Sequence, residues 1–213
     1  MPLFLAEKTL LSMTNFIPIY PQQRVVFPDE VFSFEVTEQR YRQLIKDCQS
    51  EDKPFGLPTS DRENNMDYGT TVQILEMEMM DGQEKLKIKA KGISVFRILE
   101  VMDHLPDKPY WGAIVHYPEN DQLKVHHRTS KLIFEEVKKL YQQLQLEQQL
   151  PLHEDDWTSY ELAHKIGLSK QQEYQLLSIL NEVQRMEFIR RHLRELFSAL
   201  DSIALLKSRI NLN

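Results

Sequence analysis

Residues 72–98, VQILEMEMMDGQEKLKIKAKGISVFRI, specify a β-hairpin. Two alternating runs flank Asp81-Gly82, a dipeptide that tolerates positive φ at both central positions of a type I′ turn. A two-residue turn then fixes a register. Glu78 faces Lys85 and Glu76 faces Lys87 on one side, while Met77 faces Leu86 and Leu75 faces Ile88 on the other. One face is charged and largely neutralised, with Lys89 and Lys91 left over; the opposite face is apolar.

Outward from the hairpin, the first half of the chain is punctuated by Pro, Gly and β-branched or aromatic runs. Strands are expected over 16–20, in 25–36 (VVFP with VFSFEV), and over 70–79, 84–90, 93–102 and 110–117. Many short strands favour a barrel-like sheet. One helix interrupts them, because Tyr41, Leu44, Ile45 and Cys48 fall at i, i+3, i+4 and i+7. Thr37 is its expected N-cap and Glu38 lies in its first turn. Pro58 to Tyr68 lacks periodicity and reads as a surface loop.

The second half turns to Leu, Gln, Glu and Arg at helical spacing. Ile133, Val137, Leu140, Tyr141 and Leu144 make one apolar stripe. Thr158-x-x-Glu161 and Ser169-x-x-Gln172 are capping boxes that open two short helices, with Gly167 at a C′ position between them. From Asn181 a long helix carries Met186, Ile189, Leu193, Leu196, Phe197 and Leu200, a stripe that packs on the preceding helices or on a second subunit of a homo-oligomer. The expected layout is an N-terminal extension (1–14), a β-rich part (15–119) and a helical part (120–213).

A chain of 213 residues with 41% hydrophobic content buries about 70% of its unfolded surface without staples. Its single cysteine, Cys48, excludes an intramolecular disulfide and any multi-cysteine metal site. No apolar run spans a bilayer, and MPLFLAEKTLLS is broken by Glu7 and Lys8, so neither membrane insertion nor a signal peptide is expected and the assigned location is cytoplasmic. Met13 serves as well as Met1 for a start. The net charge of −6 gives no general attraction to nucleic acid.

Catalytic signatures are missing. There is no G-x-x-x-x-G-K-S/T, G-x-S-x-G, H-E-x-x-H or C-x-x-C, so no cofactor is expected. Adjacent His126 and His127 point apart on a helix, and His153-Glu154-Asp155-Asp156 fits an acidic helix start better than a metal site. Lys85, Lys87, Lys89 and Lys91 alternate on one strand as a phosphate ladder would, but the register neutralises two of them. Arg185, Arg190, Arg191 and Arg194 form a second basic cluster, offset by Glu187 and Glu195. Aromatic side chains are the better binding candidates. Tyr20, Phe27, Phe55, Tyr110 and Trp111 sit at strand ends or loops beside prolines, with Met77, Met79 and Met80 as adaptable apolar surface; the competing reading is ordinary core.

In order and spacing these residues resemble the amino-terminal domain of Lon-type ATP-dependent proteases, especially the freestanding bacterial proteins made of this domain alone. The resemblance runs from about Phe16 to Leu200. It includes IPIYP, VVFPDE, Glu38-Gln39-Arg40-Tyr41, Phe55-Gly56, Gly69-Thr70-Thr71, the Asp81-Gly82 hairpin, Gly92-x-x-x-Phe96-Arg97-Ile98 and Tyr110 through Tyr117. In the helical half it includes Glu161-Leu162-Ala163, Leu168-Ser169, Leu176-Leu177 and Arg185. The family usually has Gly where this chain has Asp29, Phe in place of Thr37, Pro in place of Gln39, and often Arg in place of Val95. The resemblance implies an α+β fold, a PUA-like pseudobarrel followed by a helical bundle. It implies a non-catalytic module that binds unfolded or exposed polypeptide segments and works beside a protease or chaperone component, because the ATPase and Ser–Lys proteolytic domains are not in this sequence. Arg40 and Tyr41 would stand beside the aromatic groove as orienting groups. RNA binding, which PUA-like folds can host, is the alternative; an enzyme with a pocket invisible in sequence is the third.

Overall fold

A computed structural model describes residues 14–59, 67–80, 85–103, 105, 107–121, 127–147 and 157–211. The Asp81-Gly82 turn, most of the 58–68 loop, the region of the two candidate starts, His126 and the 153–156 acidic run lie outside the described residues. The chain divides into two compact units, residues 1–119 and 120–213.

The first unit holds β1 (Thr14–Pro18), β2 (Val31–Val36), α1 (Gln39–Ser50), β3 (Phe55–Pro58), β4 (Tyr68–Met80), β5 (Lys85–Met102) and β6 (Gly112–His116). The strands form one antiparallel sheet in the order β1-β6-β5-β4-β3, with β2 added on β5. Parallel bridges from Ile19 to Gly56 and from Gln22 to Thr59 join the chain after β1 to β3, bringing the two ends of the sheet together. This is a barrel-like closure of the β1 and β3 ends; the far part of β4 and the outer side of β2 lie outside it.

The long strand β5 is the spine. The sequence reads as two strands separated by Lys91-Gly92, but the structure carries one strand through both. One of its two bulges against β4 falls between Thr71 and Val72, opposite Ser94 and Gly92, and the other between Ile74 and Glu76. The glycine lets the strand pass under the 27–30 turn: Gly92 N–H donates to Glu30 O at 2.9 Å, and Asp29 N–H donates to Gly92 O at 3.0 Å. β3 was not expected as a strand, because in FGLP the Gly and Pro read as punctuation while all four residues are buried. VVFP (25–28) in turn forms no strand.

The hairpin register differs from expectation by two residues. Glu78 pairs with Lys87, Glu76 with Lys89 and Met77 with Ile88, and the innermost pair among the described residues is Met80 with Lys85. The two-residue offset keeps Glu76, Met77 and Glu78 on their expected faces, but a bulge between Ile74 and Glu76 leaves Leu75 without a partner on β5 and exposed, and puts Ile74 on the apolar face in its place. The lysines expected to be left over are paired: Lys89 Nζ lies 2.7 Å from Glu76, and Lys91 Nζ lies 2.7 Å from Asp29.

The main core packs α1 with the β2, β4 and β5 ribbon. Tyr41, Leu44, Ile45 and Cys48 meet Val36, Val72, Leu86, Ile88 and Ala90, all buried. Burial and the carboxylates at Asp47 and Glu51 push the Cys48 thiol up to about 12, so it is an inert core residue. The N-cap of α1 is Glu38, not Thr37, and it makes no side-chain cap hydrogen bond. Its carboxylate instead accepts from Arg40 Nε at 2.9 Å. A second cluster joins Ile17, Ile19, Phe96, Ala113 and Val115.

Asp29, where the resembling family usually has Gly, sits at φ 62°. Left-handed backbone is tolerated by Asp and free of cost for Gly. Asp29→Gly is therefore expected to keep or raise stability by up to about 1 kcal/mol, because the exposed Lys91 pair it removes contributes little. Asp29→Val should lower stability by about 1–2 kcal/mol. Urea unfolding of the two variants checks the order.

The second unit holds α2 (His127–Gln143), α3 (Ser159–Ala163), α4 (Lys170–Ser178) and α5 (Glu182–Asn211). Ile133, Val137, Leu140 and Tyr141 of the α2 stripe are buried, whereas Leu144 lies past the helix and is exposed. The boxes close as the sequence indicates: Thr158 N–H donates to Glu161 at 2.7 Å, and Ser169 N–H donates to Gln172 at 2.9 Å. Gly167, at φ 72°, ends a run of turns four residues past α3 and is not at its C′ position. Along α5, Met186, Ile189 and Leu193 are buried, and the described side chains from Asp201 onward are exposed.

Arg185 is not a surface cation. It is fully buried with Glu182. Glu187 holds Arg190 at 3.3 Å and Arg194 at 2.9 Å, while Arg191 lies over the Phe188 ring.

Candidate functional site

Four of the seven candidate binding residues converge. The chain leaves β1 at Pro18, and the N–H of Tyr20 donates to Gly56 O at 2.8 Å, which fixes the backbone beneath its ring. That ring packs on Tyr41, tilted by 30° with centroids 4.1 Å apart, and meets Phe34 of β2 at 6.0 Å. Phe34 in turn stacks on Phe32 at 5.5 Å. Arg40, in the first turn of α1, places its guanidinium 4.5 Å from the Tyr41 ring centre and 5.7 Å from that of Trp111. Arg24 lies over Phe32 at 5.2 Å. A continuous ladder results, from Trp111 through Arg40, Tyr41, Tyr20 and Phe34 to Phe32, with a guanidinium near each end.

The ladder is partly open. Tyr20, Phe34, Arg40 and Trp111 are half-buried, while Tyr41 and Phe32 form its buried floor. Burial raises the Tyr20 and Tyr41 phenols above their ordinary value, so both stay neutral and present apolar faces with a polar tip. Arg40 is tied to Glu38 at 2.9 Å and stacked between two rings, which immobilises its planar head before any ligand arrives.

Beside Arg40 opens a cavity of about 510 Å³ lined by Gln39, Arg40, Gln43, Asp47, Asp107, Lys108 and Pro109. Tyr110 stands behind Asp47 of this lining. The ring is buried and the hydroxyl donates to Asp47 Oδ2 at 2.8 Å, where Lys108 Nζ also binds at 2.6 Å; Gln43 Nε2 reaches Asp47 Oδ1 at 2.7 Å. The Lys108 hydrogen bond holds the Asp47 carboxyl below the usual range, and Asp47 holds Lys108 above its own. Burial, reinforced by Asp47, raises the Tyr110 phenol further. Each group is thereby locked in its resting protonation state, the opposite of a general acid or base poised near neutrality. The cavity offers amide and guanidinium donors and carboxylate acceptors suited to a polar backbone.

Phe27 and Phe55 do not join the ladder. Both are fully buried: Phe55 lies in the main core from β3, and the Phe27 carbonyl is held over Gly92. Pro54 precedes β3, all four residues of which are buried, and Pro28 lies in the turn before β2. Phe32, Phe34 and Arg24 were not singled out by sequence, because alternation in VFSFEV identifies a strand without saying which neighbour covers it. Nor does any local pattern couple Asp47 to Lys108, 61 residues away. Among the described residues no group of three or more His, Cys, Asp or Glu is placed to hold a metal, and no helix is long and apolar enough to cross a membrane.

Comparison with known proteins adds a family to this geometry. A family model described as the ATP-dependent protease La (LON) substrate-binding domain matches residues 17–195. A Lon protease of Syntrophus aciditrophicus (strain SB) is 27% identical over 129 residues, which are 55% of this chain and 16% of that protein. The chain thus spans a small part of that relative. Two solved structures share the fold. The Lon N-terminal domain protein from Xanthomonas campestris superposes with a TM-score of 0.61 at 22% identity, covering 81% of this chain and 95% of that one. The N-terminal domain of the Mycobacterium avium complex Lon protease gives 0.63 at 14% identity, covering 84% and 98%.

Proposed function

The chain belongs to the family of ATP-dependent protease La (LON) substrate-binding domains, and on that premise we propose that it holds exposed apolar segments of other polypeptides on the aromatic ladder of its β-rich unit. The family suggests a role in substrate binding. The single observation that carries the finer reading is the convergence of Tyr20, Arg40, Tyr41 and Trp111 on one half-open strip.

Half-buried aromatic rings supply large contact area with little entropy left to lose, and they accept many apolar side chains without demanding one shape. Immobilised Arg40 orients a passing backbone carbonyl or carboxylate, and Tyr110, through Asp47, holds the polar cavity in shape next to it. Such a site binds and orients without breaking a bond. No chemistry is assigned to these residues: Asp47, Lys108 and Tyr110 are each held in their ordinary protonation state by their mutual contacts or burial, which suits binding better than proton transfer. In a proteolytic system the module would deliver substrate to separate catalytic machinery.

RNA binding gains nothing from the lysine strand. Lys85, Lys89 and Lys91 pair with Glu35, Glu76 and Asp29, and Lys87 faces Glu78, so the ribbon presents alternating charge, not a cationic stripe.

The test titrates a reduced, carboxymethylated unfolded polypeptide into the protein and into Tyr20→Ala, Arg40→Ala and Trp111→Ala variants of unchanged circular dichroism. Central aromatic and arginine anchors should each weaken binding by about tenfold or more. Equal affinity in all four proteins rejects the site; no binding by the unsubstituted protein rejects the function.

A further inference from the structure

We propose that the outer edge of β4, from Gln73 to Met80, adds an extended polypeptide segment in which apolar and basic residues alternate. This rests on the polypeptide-binding reading above but uses a different surface.

β4 pairs with β3 only through Gly69–Val72. From Gln73 to Met80 it pairs with β5 on one side, and among the described residues no strand or backbone hydrogen bond occupies the other. That leaves a row of backbone N–H and C=O groups, interrupted by the bulge at Leu75 and regular from Glu76 to Met80, that an extended backbone can pair. The side chains along this edge say which segment fits. Ile74, Met77 and Met79 share the face of buried Ala90, Ile88 and Leu86, their partners on β5. Ile74 and Met77 are partly covered by the core, but Met79 remains 70% exposed. An added strand with apolar residues on this face would extend the core outward over Met77 and Met79.

The other face selects charge. The outermost strand carries Glu76 and Glu78, whereas the lysines stand one strand further in, on β5. An added strand has β4 as its nearest neighbour, so its polar-face residues meet carboxylates first. Basic residues are favoured there and acidic ones disfavoured. The same carboxylates oppose self-association: a second copy paired antiparallel about Met77 would bring Glu76 of each chain against Glu78 of the other. The edge of β2 is a poorer candidate, because Phe32 and Val36 are already buried and Phe34 is engaged by Tyr20.

The experiment uses the full chain and a fluorescein-labelled octapeptide of alternating valine and lysine. Its counterparts replace lysine with glutamate, or carry N-methyl groups on one or the other set of alternate residues. Paired antiparallel to β4, only alternate residues of the peptide turn their N–H groups toward the protein. One N-methylated set should therefore weaken binding about tenfold or more, and the other by less than about twofold. The lysine peptide should bind about tenfold tighter than the glutamate peptide, and Glu78→Lys should abolish that preference. Met79→Lys, at an exposed position that leaves the fold intact, should weaken the lysine peptide severalfold. No binding of the lysine peptide, equal response to both N-methylated sets, or an unchanged charge preference in Glu78→Lys overturns the edge proposal. Failure of the aromatic ladder has a separate signature, since Tyr20→Ala and Trp111→Ala leave the N-methyl pattern untouched.

Discussion

Arg185→Ala is expected to destabilise the helical unit by about 3–5 kcal/mol, the range for breaking a buried ion pair by removing one partner. The guanidinium is fully buried, and every donor has an acceptor. Nε donates to Ser159 Oγ and Glu182 Oε2, each at 2.8 Å; Nη1 donates to Asn120 Oδ1 at 2.8 Å and Ile179 O at 2.7 Å; Nη2 reaches Asp121 O and lies 2.7 Å from Glu182. The Tyr160 ring covers one face at 4.3 Å. Truncation strands the Glu182 carboxylate in the core with only Ser159, through its N–H at 2.9 Å and its hydroxyl at 2.6 Å. It also removes the Arg185 donors from the Ile179 and Asp121 carbonyls. Arg185→Ala combined with Glu182→Gln should cost less than the sum of the two single changes, because the second removes the stranded charge. Guanidinium titration followed by circular dichroism measures both; a loss below about 1 kcal/mol for Arg185→Ala would contradict the arrangement.

Gly92→Ala is expected to destabilise the β-rich unit by about 3 kcal/mol, at the upper end of the usual range for overpacking. A Cβ at this position would sit 2.1 Å from the Phe27 carbonyl oxygen and 3.3 Å from the Thr70 methyl. The first obstacle is backbone and cannot rotate away. Relief requires either β5 or the 27–30 turn to retreat, and these are joined by the two hydrogen bonds between Gly92 and residues 29 and 30. Retreat also disturbs buried Val26 and Phe27, which begin the path toward the ladder residues of β2. Thermal unfolding monitored at a β-sheet signal checks the value. A change within about 0.5 kcal/mol, as for an ordinary surface substitution, would mean the turn does not rest on the strand.

The local chemistry of the chain was legible where one element settles the matter. Tyr41, Leu44, Ile45 and Cys48 form the buried face of α1 because helical spacing alone puts them together. The boxes at Thr158 and Ser169 open helices because their partners are three residues away. What failed required knowing a distant neighbour. The hairpin faces were right from Glu76 to Glu78 and the pairing was off by two, since alternation fixes parity while loop length fixes register; Leu75 was misplaced because alternation does not reveal a bulge. Phe27 and Phe55 looked like Tyr20 and Trp111 in sequence, each aromatic near a proline, yet the first two are enclosed and the last two flank Arg40 and Tyr41. Arg185 looked like Arg190, but its position one turn into α5 faces Ser159 and Asn120, 26 and 65 residues away. No pattern in one segment reports such partners. The family, by contrast, was legible because order and spacing along the whole chain carry more information than any single motif.

The most direct test of polypeptide binding at the ladder is a map of NMR chemical-shift changes on adding an unfolded polypeptide. Binding there predicts that the Trp111 indole, the Arg40 guanidinium and the Tyr20 ring shift together and saturate with one affinity, while Arg185 and the α5 core at Ile189 and Leu193 stay fixed. Saturable binding that leaves all three ladder signals unmoved, with shifts confined to the helical unit, would contradict it.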